Sequence, residues 1–495
     1  MKAKATLISY LFPKLQDILF LLVFSFLLFF GSNLFRDGDP GRHITIGKYI
    51  IENRTILTHD IFSYTMHGQP FTPHEWLAEV AYGASYLLLG MNGVVLLAAL
   101  IISITVLLVY REILRRGFPR LIAFLLVLWC AAMTSPHWLA RPHLFTFLFI
   151  AIWTPLLIRL SQGEPVPLWQ FPLTMIIWAT THGAFIAGFV IWGTILVALL
   201  WENFKDLKKN LLVLRNMFIV GGSAFVVTFI NPVGWRLWTT TISYVSNRYL
   251  TEFTSEYRSI DFHQMYAWPF LAFITITFLL FLRGWKKLPL SETLLMVVWL
   301  PLALYSARNM PLYAIIAMPI MAGYILPEIN NSSIVTRLTI PIEKIEHQLH
   351  GFVWPLVAVI FVAFFMHTGH SLDISRKGYQ FNSNDFPVGA VDWLESHPQT
   401  GNMYNFCRWG GYLIFRMWPK LDVFIDGQTD FYGEAFTRQY EQIIDADQGW
   451  QEILAEYNIQ WILVPPNSTI ALVLQNNPKW TIVYQDQTAV IIRQH

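Results

Sequence analysis

Charged residues are scarce in this chain. Asp, Glu, Lys and Arg make up 13% of its 495 residues, whereas ordinary soluble proteins carry about 25%. The length alone would suggest about three soluble domains, but so few charges could not cover their surfaces. The scarcity therefore excludes an ordinary soluble enzyme, a coiled coil and a disordered chain. Hydrophobic residues make up 55% of the sequence and its mean hydropathy is +0.45, which indicates a polytopic membrane protein.

The chain also has few cysteines and little net positive charge. The two cysteines, Cys130 and Cys407, form neither a zinc-binding spacing nor a disulfide framework. The net charge is only +2, and no Lys/Arg stripe with interleaved aromatic residues is present. We therefore expect no nucleic-acid partner. The sequence also lacks an internal repeat, which argues against a transporter built from inverted repeats.

Long apolar runs are abundant. A membrane span needs about 20 mainly apolar residues to cross roughly 30 Å of hydrocarbon. The first run follows Lys2, Lys4 and Lys14 and lacks a small-residue cleavage site, so we predict a retained span and not a removed signal peptide. In all, eleven candidate spans are present, at residues 17–35, 92–110, 121–136, 143–160, 171–182, 184–201, 213–230, 267–283, 289–306, 309–326 and 351–367.

The distribution of Lys and Arg predicts the orientation of these spans. With eleven spans, the loops on one side carry 17 Lys and Arg residues and the loops on the other side carry 9. The positive-inside rule assigns the richer loops to the cytoplasm. We therefore predict a multi-pass protein of the cytoplasmic (inner) membrane. Because the number of spans is odd, the N-terminus is predicted to be cytoplasmic and the C-terminus extracytoplasmic.

The composition changes after the last apolar run. Residues 1–370 are predicted to form a mostly α, polytopic bundle of transmembrane helices with a long outer loop at 36–90. Residues 371–495 have a soluble type of composition and are predicted to form a small extracytoplasmic α/β domain. In this tail we predict strands at 401–406, 421–426, 459–466 and 481–493, and helices at 386–397, 409–418 and 447–457.

Many ionisable residues of the membrane domain lie in the outer loop or at the predicted outer ends of spans. Polar groups at membrane depth are costly, so they usually line a cavity or an interface. Their concentration at one face predicts a cavity that opens to the outside. The candidate substrate-binding residues at this face are His43, His74, Glu75, His137, Arg141, His143, His182 and Arg308.

Some of these residues also have a purely structural interpretation. His74 and Glu75 precede a tryptophan and could form the first turn of an interfacial helix. Arg141 is a good phosphate ligand because its guanidinium offers a bidentate fork, but it could instead place its charge among lipid headgroups. His182 lies in an apolar stretch and could be a hydrogen-bonded core residue. The sequence leaves these alternatives open.

The sharpest feature is the Asp37-Gly38-Asp39 motif directly after the first run. Two carboxylates two residues apart can bind one divalent cation, Mg²⁺ or Mn²⁺, or can divide the roles of a base and an orienting group. The structural alternative is that Asp39, before Pro40, begins an amphipathic helix at 40–52. Asp37 and Asp39 are therefore both candidate catalytic residues and candidate metal ligands.

The tail contains a second set of candidates. Gly410 and Gly411 precede a predicted helix, and Asp426 and Asp430 follow a predicted strand. A helix N-terminus behind glycines can bind an anion, and carboxylates at the end of a strand can contact a ligand. Alternatively, the glycines permit close packing and the acids belong to a turn. We include Asp426 and Asp430 among the candidate substrate-binding residues.

Several stretches resemble the GT-C superfamily of membrane glycosyltransferases, and in particular a group of bacterial membrane proteins in or near it. They are DGDPGRHITIG, HEWLAEVAYG, RNMPLYAIIAMP and YNFCRWGGYLIFRMWPKLDVFIDGQTDFYGE. The resemblance covers essentially the whole chain. It implies transfer of a sugar from a polyprenyl-phosphate-linked donor to a glycan, lipid or protein acceptor at the outer face of the membrane. It also implies that Asp39 or Asp37 is the general base or orients the acceptor.

The expected chemistry defines roles for the other candidates. An inverting displacement at the anomeric carbon needs a carboxylate to accept the proton of the acceptor and cations to neutralise the leaving phosphate. Arg141, His143, His182 and Arg308 could supply these cations. The tail has no WWD-type peptide-binding motif, so asparagine glycosylation is not expected. The alternative functions are a transporter or flippase, or a lipid-binding scaffold, with the same outer cavity and no chemistry.

Overall fold

The computed structural model describes residues 7–206, 210–284, 288–375 and 377–495. A predominantly helical region is followed by a small mixed α/β region, so the predicted fold class is confirmed. Some of the basic residues that were used to predict the orientation lie outside the described residues, namely Lys2, Lys4, Lys208, Lys209, Lys286 and Lys287.

The first part of the chain consists of helices joined by short loops and by one long loop. In chain order these helices are α1 (Leu7–Leu11), α2 (Leu15–Phe29), α3 (Asp39–Asn53), α4 (Trp76–Leu89), α5 (Met91–Arg115), α6 (Arg120–Thr134), α7 (His143–Ser161), α8 (Gln170–Thr181), α9 (Ile186–Glu202), α10 (Leu211–Val227), α11 (Arg236–Ser246), α12 (Arg248–Phe253), α13 (Trp268–Gly284), α14 (Leu290–Tyr305), α15 (Met310–Asn330), α16 (Ser333–Glu346) and α17 (Val353–His367).

All eleven predicted spans coincide with helices of the structure, but these helices differ in length. Within the described ranges, seven helical stretches are long and apolar enough to cross a membrane, and α10, α14 and α17 are shorter apolar helices. The eleventh, α8, has 12 residues and is therefore only about 18 Å long. The seven long stretches are Ser9–Phe29, Met91–Arg115, Arg120–His137, His143–Ser161, Gly183–Glu202, Met265–Leu282 and Ala307–Asn330.

The C-terminal region forms one four-stranded sheet with helices around it. Its strands follow the order β1-β2-β4-β3, in which β1 and β2 are parallel and the other neighbours are antiparallel. The domain boundary after residue 370 stays a prediction. The elements are α18 (Val388–Ser396), β1 (Asn402–Asn405), α19 (Gly410–Met417), α20 (Thr429–Ile444), α21 (Trp450–Glu456), β2 (Ile459–Val464), α22 (Thr469–Gln475), β3 (Trp480–Gln485) and β4 (Val490–Gln494).

The predicted strand at 421–426 is wrong. This segment pairs with the outer loop through a single bridge between Ser63 and Val423, and it forms no strand of the sheet. Asp430 lies in the first turn of α20, which the sequence did not predict as a helix. The predicted strand segment 481–493 consists of two antiparallel strands, β3 and β4, separated by a turn. The other predicted strands and helices of the tail are confirmed within a few residues at each end.

Glycines allow α3 to pack closely against two neighbouring helices. Gly47 of α3 and Gly83 of α4 lie in backbone contact, since a β-carbon on either residue would overlap the backbone of the other helix. On another side of α3, a β-carbon on Gly41 would lie 2.7 Å from the carbonyl oxygen of Gly411 in α19. The helix after the first span is therefore held between α4 and the tail.

The first loop and the tail meet at one face of the helical bundle, which we call the site face. Tyr64 of the loop donates a hydrogen bond to the carbonyl oxygen of Met403, and Thr65 donates one to that of Phe424. Ten of the eleven predicted spans lie between the loop and the tail, and an even number of spans returns the chain to the same side of the membrane. Which side of the membrane the site face occupies stays a prediction.

Candidate active site

The structure brings the candidate residues of the membrane domain and of the tail together at the site face. They are held by the loop after α2, by α3, by the start of α4, by the ends of α7, α8 and α15, and by the tail. The candidates found there are Asp37, Asp39, His43, His74, Glu75, His137, Arg141, His143, His182, Arg308, Asp426 and Asp430, and the following contacts connect most of them directly.

Arg141 lies at the centre of an acidic cluster. Its Nη1 donates to Asp37 Oδ2 at 2.6 Å and to Glu256 Oε1 at 2.7 Å. Its Nη2 lies 2.9 Å from Asp39 Oδ2. The loop that carries Arg141 is anchored to α4, because Tyr82 donates a hydroxyl hydrogen bond to the Arg141 carbonyl oxygen. One guanidinium thus faces three carboxylates, and its charge is more than neutralised.

The acids of this cluster do not titrate alike. Burial raises the pKa of Asp37 to about 6, against the opposing effect of the Arg141 charge. Burial would also raise the pKa of Glu256, but the charges of Arg141 and Arg308 outweigh it and lower that pKa to about 2. At neutral pH Glu256 is therefore ionised, whereas Asp37 can change its charge near physiological pH.

Asp37 also shapes the start of α3. Its Oδ1 accepts a hydrogen bond from the Asp39 backbone N–H at 2.7 Å, while its Oδ2 pairs with Arg141. The helix begins at Asp39 with Pro40 in its first turn, as the structural interpretation of the motif predicted. The capping geometry and the ion pairs coexist, because the two oxygens of Asp37 have different partners.

The Asp37 and Asp39 pair does not fit a metal ion in this arrangement. Carboxylate oxygens suit Mg²⁺ and Mn²⁺, but the Arg141 nitrogens at 2.6 and 2.9 Å already supply positive charge between the two side chains. The expectation of a Mg²⁺ or Mn²⁺ cofactor stays a prediction.

Arg308 has a different environment from Arg141. Its Nη2 donates to His182 Nε2 at 2.9 Å and its Nη1 donates to the Tyr257 hydroxyl at 3.1 Å. The guanidinium also lies over the Tyr257 ring, 5.0 Å from its centroid. Among the described residues, no carboxylate lies within ion-pair distance of Arg308. Its positive charge is therefore not neutralised by direct contact.

His182 is held as a neutral acceptor. An arginine can only donate, so His182 Nε2 must accept from Arg308. The Nδ1 proton of His182 is then donated to Thr146 Oγ1 at 2.8 Å, and the same oxygen accepts from Trp178. This network fixes the imidazole, so the prediction that His182 carries positive charge is not supported by its hydrogen bonds.

The two histidines at the start of α7 also differ in their contacts. His143 Nε2 donates to the His137 carbonyl oxygen at 2.7 Å, so His143 closes the turn before its helix. His137 Nδ1 is buried and has no hydrogen-bond partner among the residues that the structure describes. A buried polar atom without a partner is costly, so His137 is the histidine of this pair that can contact a ligand.

The first turn of α4 faces α3. His43 Nδ1 lies 3.3 Å from Glu79 Oε1, and His43 Nε2 lies 3.8 Å from Glu75 Oε2. His74 and His182 each place Nε2 3.8 Å from Glu75 Oε1. Burial lowers the pKa of His74, but the negative charges of Glu75, Asp430 and Glu79 and the hydrogen bond to the Thr72 carbonyl oxygen together outweigh it and raise that pKa.

The tail contributes a buried ion pair. Arg42 Nε of α3 lies 3.6 Å from Asp426 Oδ2, and Arg42 Nη2 donates to Gln428 Oε1 at 2.6 Å. Burial raises the pKa of Asp426 to about 6 against the effect of Arg42. Asp430 is partly buried nearby and adds to the negative potential around His74. Gly410 and Gly411 lie in close backbone packing, as one of the two sequence interpretations predicted.

Sequence reasoning missed several residues of this site. Glu256 and Tyr257 lie in the segment between α12 and α13, where no motif marks them. Arg42 was counted only as a basic residue of an outer loop, although its spacing from Asp39 places both on adjacent turns of α3. Glu79 lies one turn after Glu75, and this spacing could have identified it.

Comparisons with known proteins give structural neighbours only. No protein-family model and no curated protein sequence matches the chain. The oligosaccharyltransferase of Archaeoglobus fulgidus in its apo form has a TM-score of 0.59 at 10% identity, covering 90% of this chain and 69% of that one. ArnT of Cupriavidus metallidurans has a TM-score of 0.50 in its apo state and 0.48 when bound to undecaprenyl phosphate, both at 14% identity over 96% of this chain and 97% of that one.

The similarity establishes the fold. Both the oligosaccharyltransferase and ArnT are membrane glycosyltransferases of the GT-C superfamily. This chain has the same fold, so the resemblance inferred from its sequence is confirmed at that level. At 10 to 14% identity the comparison says nothing about individual residues, whose roles depend on the geometry of the site.

Proposed function

We propose that this protein is a membrane glycosyltransferase that moves a sugar from a polyprenyl-phosphate-linked donor to an acceptor at the outer face of the cytoplasmic membrane. The GT-C fold supports a lipid-linked donor in general terms. The observation that carries the proposal is that two arginines at the site face have different partners. Arg141 holds three carboxylates, while Arg308 keeps its charge free for an anion.

The acidic cluster supplies the base. The base is Asp37 or Asp39, whose carboxylate accepts the proton of the acceptor. The acceptor oxygen then attacks the anomeric carbon of the sugar. The bond between that carbon and the phosphate oxygen breaks, and the configuration at the anomeric carbon inverts. Arg141 keeps both carboxylates oriented, and the ionised Glu256 pairs with the same Arg141 nitrogen as Asp37 does.

Arg308 supplies the charge that the leaving group needs. The phosphate gains negative charge as the bond to the sugar breaks. Preorganised hydrogen-bond donors stabilise that charge most when they are not already paired with another anion. Tyr257 and His182 hold the guanidinium at the site face. His137 is the further polar group that we expect to contact the phosphate or the sugar, because its Nδ1 has no partner among the described residues.

The first test replaces each candidate base by its isosteric amide. Purified protein in lipid nanodiscs is given a panel of undecaprenyl-phosphate-linked sugars together with a membrane extract as acceptor, and the release of undecaprenyl phosphate is measured. Asp37→Asn or Asp39→Asn should lower the rate by about 10²- to 10⁴-fold, the usual contribution of a general base. The control is Asp447→Asn, which changes an exposed acid of the tail and should leave the rate unchanged.

The pH profile separates the two aspartates. A base must be ionised to accept a proton, so with Asp37 as base the rate falls as the pH decreases through about 6. A rate that stays level well below this pH would exclude Asp37 as the base. Full transfer by both amide variants would overturn the mechanism, and loss of lipid or solute transport without any transfer defect would favour a transporter.

A further inference from the structure

A cluster of metal-ligating side chains lies beside the acidic cluster and takes no part in the proposed mechanism. It consists of His43 on α3, Glu75 directly before α4 and Glu79 on α4. Ligand atoms from these residues, one from each, all lie within 4.8 Å of one another. The parallel packing of α3 and α4 produces this arrangement, because His43 and Glu79 each lie one turn before the glycine at which the two helices touch.

The two glutamates of the cluster are only partly compensated, by His74 and by the more distant charge of Arg42. The side chains of His43 and Glu79 are each 3% exposed and that of Glu75 is 15% exposed. Among the described residues, no Lys or Arg lies within ion-pair distance of either glutamate. The nearest arginines are already engaged, since Arg42 pairs with Asp426 and Arg141 pairs with three other acids. Buried carboxylates require a compensating positive charge.

The His43 imidazole lies between the two carboxylates but can satisfy only one of them when neutral. Its Nδ1 is 3.3 Å from Glu79 Oε1, within hydrogen-bond distance. Its Nε2 faces Glu75 Oε2 at 3.8 Å, which is too long for a hydrogen bond. Two atoms that bind one ion at about 2.1 Å each lie no more than about 4.2 Å apart. The 3.8 Å separation between Nε2 and Oε2 lies within this limit, so it suits a shared ion better than a shared proton. The three ligand atoms, which lie within 4.8 Å of one another, need to approach slightly to bind one ion together.

We infer that His43, Glu75 and Glu79 form a binding site for one divalent transition-metal ion, of the class represented by Zn²⁺ and Mn²⁺. The two positive charges of the ion match the two buried glutamates. The imidazole ligand selects against Mg²⁺ and Ca²⁺, which prefer sites made of oxygen atoms alone. Three protein ligands leave a coordination position for water or another ligand. The inference does not depend on sugar transfer.

The site would also connect the loop at 54–75 to α3. Glu75 is the last residue before α4 and lies 3.8 Å from both His74 and His182, and His182 in turn accepts a hydrogen bond from Arg308. An ion bound to Glu75 would therefore fix the position of Glu75 next to His182, the hydrogen-bond partner of Arg308. We expect metal removal to loosen this loop and to lower the melting temperature of the protein.

The test measures metal content and thermal stability of the full-length protein. The protein is purified through a tag that contains no histidine, stripped with EDTA, incubated with Zn²⁺ or Mn²⁺ and desalted. Elemental analysis should find about one equivalent of bound metal, and the melting temperature should rise by several degrees on reloading. The variants Glu79→Gln and Glu75→Gln should each lower metal content at least tenfold and abolish the rise.

Two controls keep the result specific. His67→Ala removes an exposed histidine of the same loop and should leave both readouts unchanged. Glu75→Gln affects the most exposed member of the cluster, so it tests the site even if Glu79→Gln prevents folding. A wild-type protein that retains no Zn²⁺ or Mn²⁺, or variants that bind as much metal as the wild type does, would overturn the inference.

Discussion

Arg141 and Arg308 show how the same side chain serves opposite purposes at one site. Arg141 donates to carboxylates on every side, so its role is to position acids. Arg308 donates to a neutral imidazole and a phenol and keeps its charge. The sequence placed both at the predicted outer ends of spans and assigned them the same role. Only the partners, which come from distant segments, separate the two roles.

A prediction at this scale concerns the binding of a lipid phosphate. Arg308→Ala should weaken the binding of undecaprenyl phosphate by about 10- to 100-fold, because a hydrogen bond to a charged group contributes about 1.5–3 kcal/mol. Binding is measured by titrating the lipid against the protein in nanodiscs. Arg248→Ala is the matched control, since it removes an exposed arginine that pairs with Glu252. Equal dissociation constants for the wild type and Arg308→Ala would contradict the role of Arg308.

The candidate site could be predicted from the sequence where a motif or a span end marked its residues. Asp37 and Asp39 follow the first span directly, and Arg141 and Arg308 each lie two residues before a later helix at the same face. Glu256 could not be found in this way, because it lies in an irregular segment and its importance comes from contacts with Arg141. Contacts of this kind depend on tertiary packing and leave no trace in local spacing.

At the scale of helices, the close packing of α3 and α4 positions several groups of the site. Their glycines bring the two backbones together, and this aligns His43 with Glu79 and leaves Arg42 facing the tail. The glycines thus determine the positions of charged side chains that they do not contact. A side chain at either glycine would separate the helices and move every polar residue that they carry.

The glycine contact gives a prediction about stability. Gly83→Ala places a methyl group into the backbone of Gly47, so we expect a loss of about 1–3 kcal/mol through overpacking. Thermal unfolding in detergent measures the change. Gly222→Ala is the matched control, because its methyl group would meet open space on an exposed helix face and should leave stability unchanged or slightly higher. A normal melting temperature for Gly83→Ala would show that the helices can move apart at little cost.

Hydropathy predicted the helices of the bundle well, since a span needs a long apolar run whatever its neighbours are. The tail was predicted less completely. The segment 421–426 has strand composition, but its pairing partner is Ser63 of the outer loop and not another strand of the tail. The following helix α20 was missed because its first turns contain Gly433 in a non-helical conformation, within a stretch typical of turns.

At the scale of the whole molecule, the tail closes over the loop that follows the first span. The two are joined by hydrogen bonds, by the Arg42 pair with Asp426 and by the packing of Gly41 against Gly411. Both must therefore lie on the same side of the membrane. The positive-inside rule predicts that this is the outer side.

Cysteine labelling of intact cells tests the orientation. Cys130 and Cys407 are both buried, so a membrane-impermeant maleimide should leave the wild type unmodified. Gln69→Cys in the first loop and Gln475→Cys in the tail introduce exposed thiols at the site face and should both be labelled from outside. Thr336→Cys, exposed on α16, should react only after the cells are opened. Labelling of Thr336→Cys alone in intact cells would reverse the topology and place the site in the cytoplasm.

The pairing of Arg42 with the tail also has a consequence for how the protein is made. Arg42 and its hydrogen-bond partner Gln428 are separated by 386 positions in the chain. At a synthesis rate of about 5–20 residues per second, this separation corresponds to roughly 20–80 s. Throughout that interval Arg42 lacks its partners in the tail, so the nascent protein cannot complete its site. Premature termination between α17 and Asp426 therefore yields a chain that has the helices of the bundle but lacks the Arg42 ion pair.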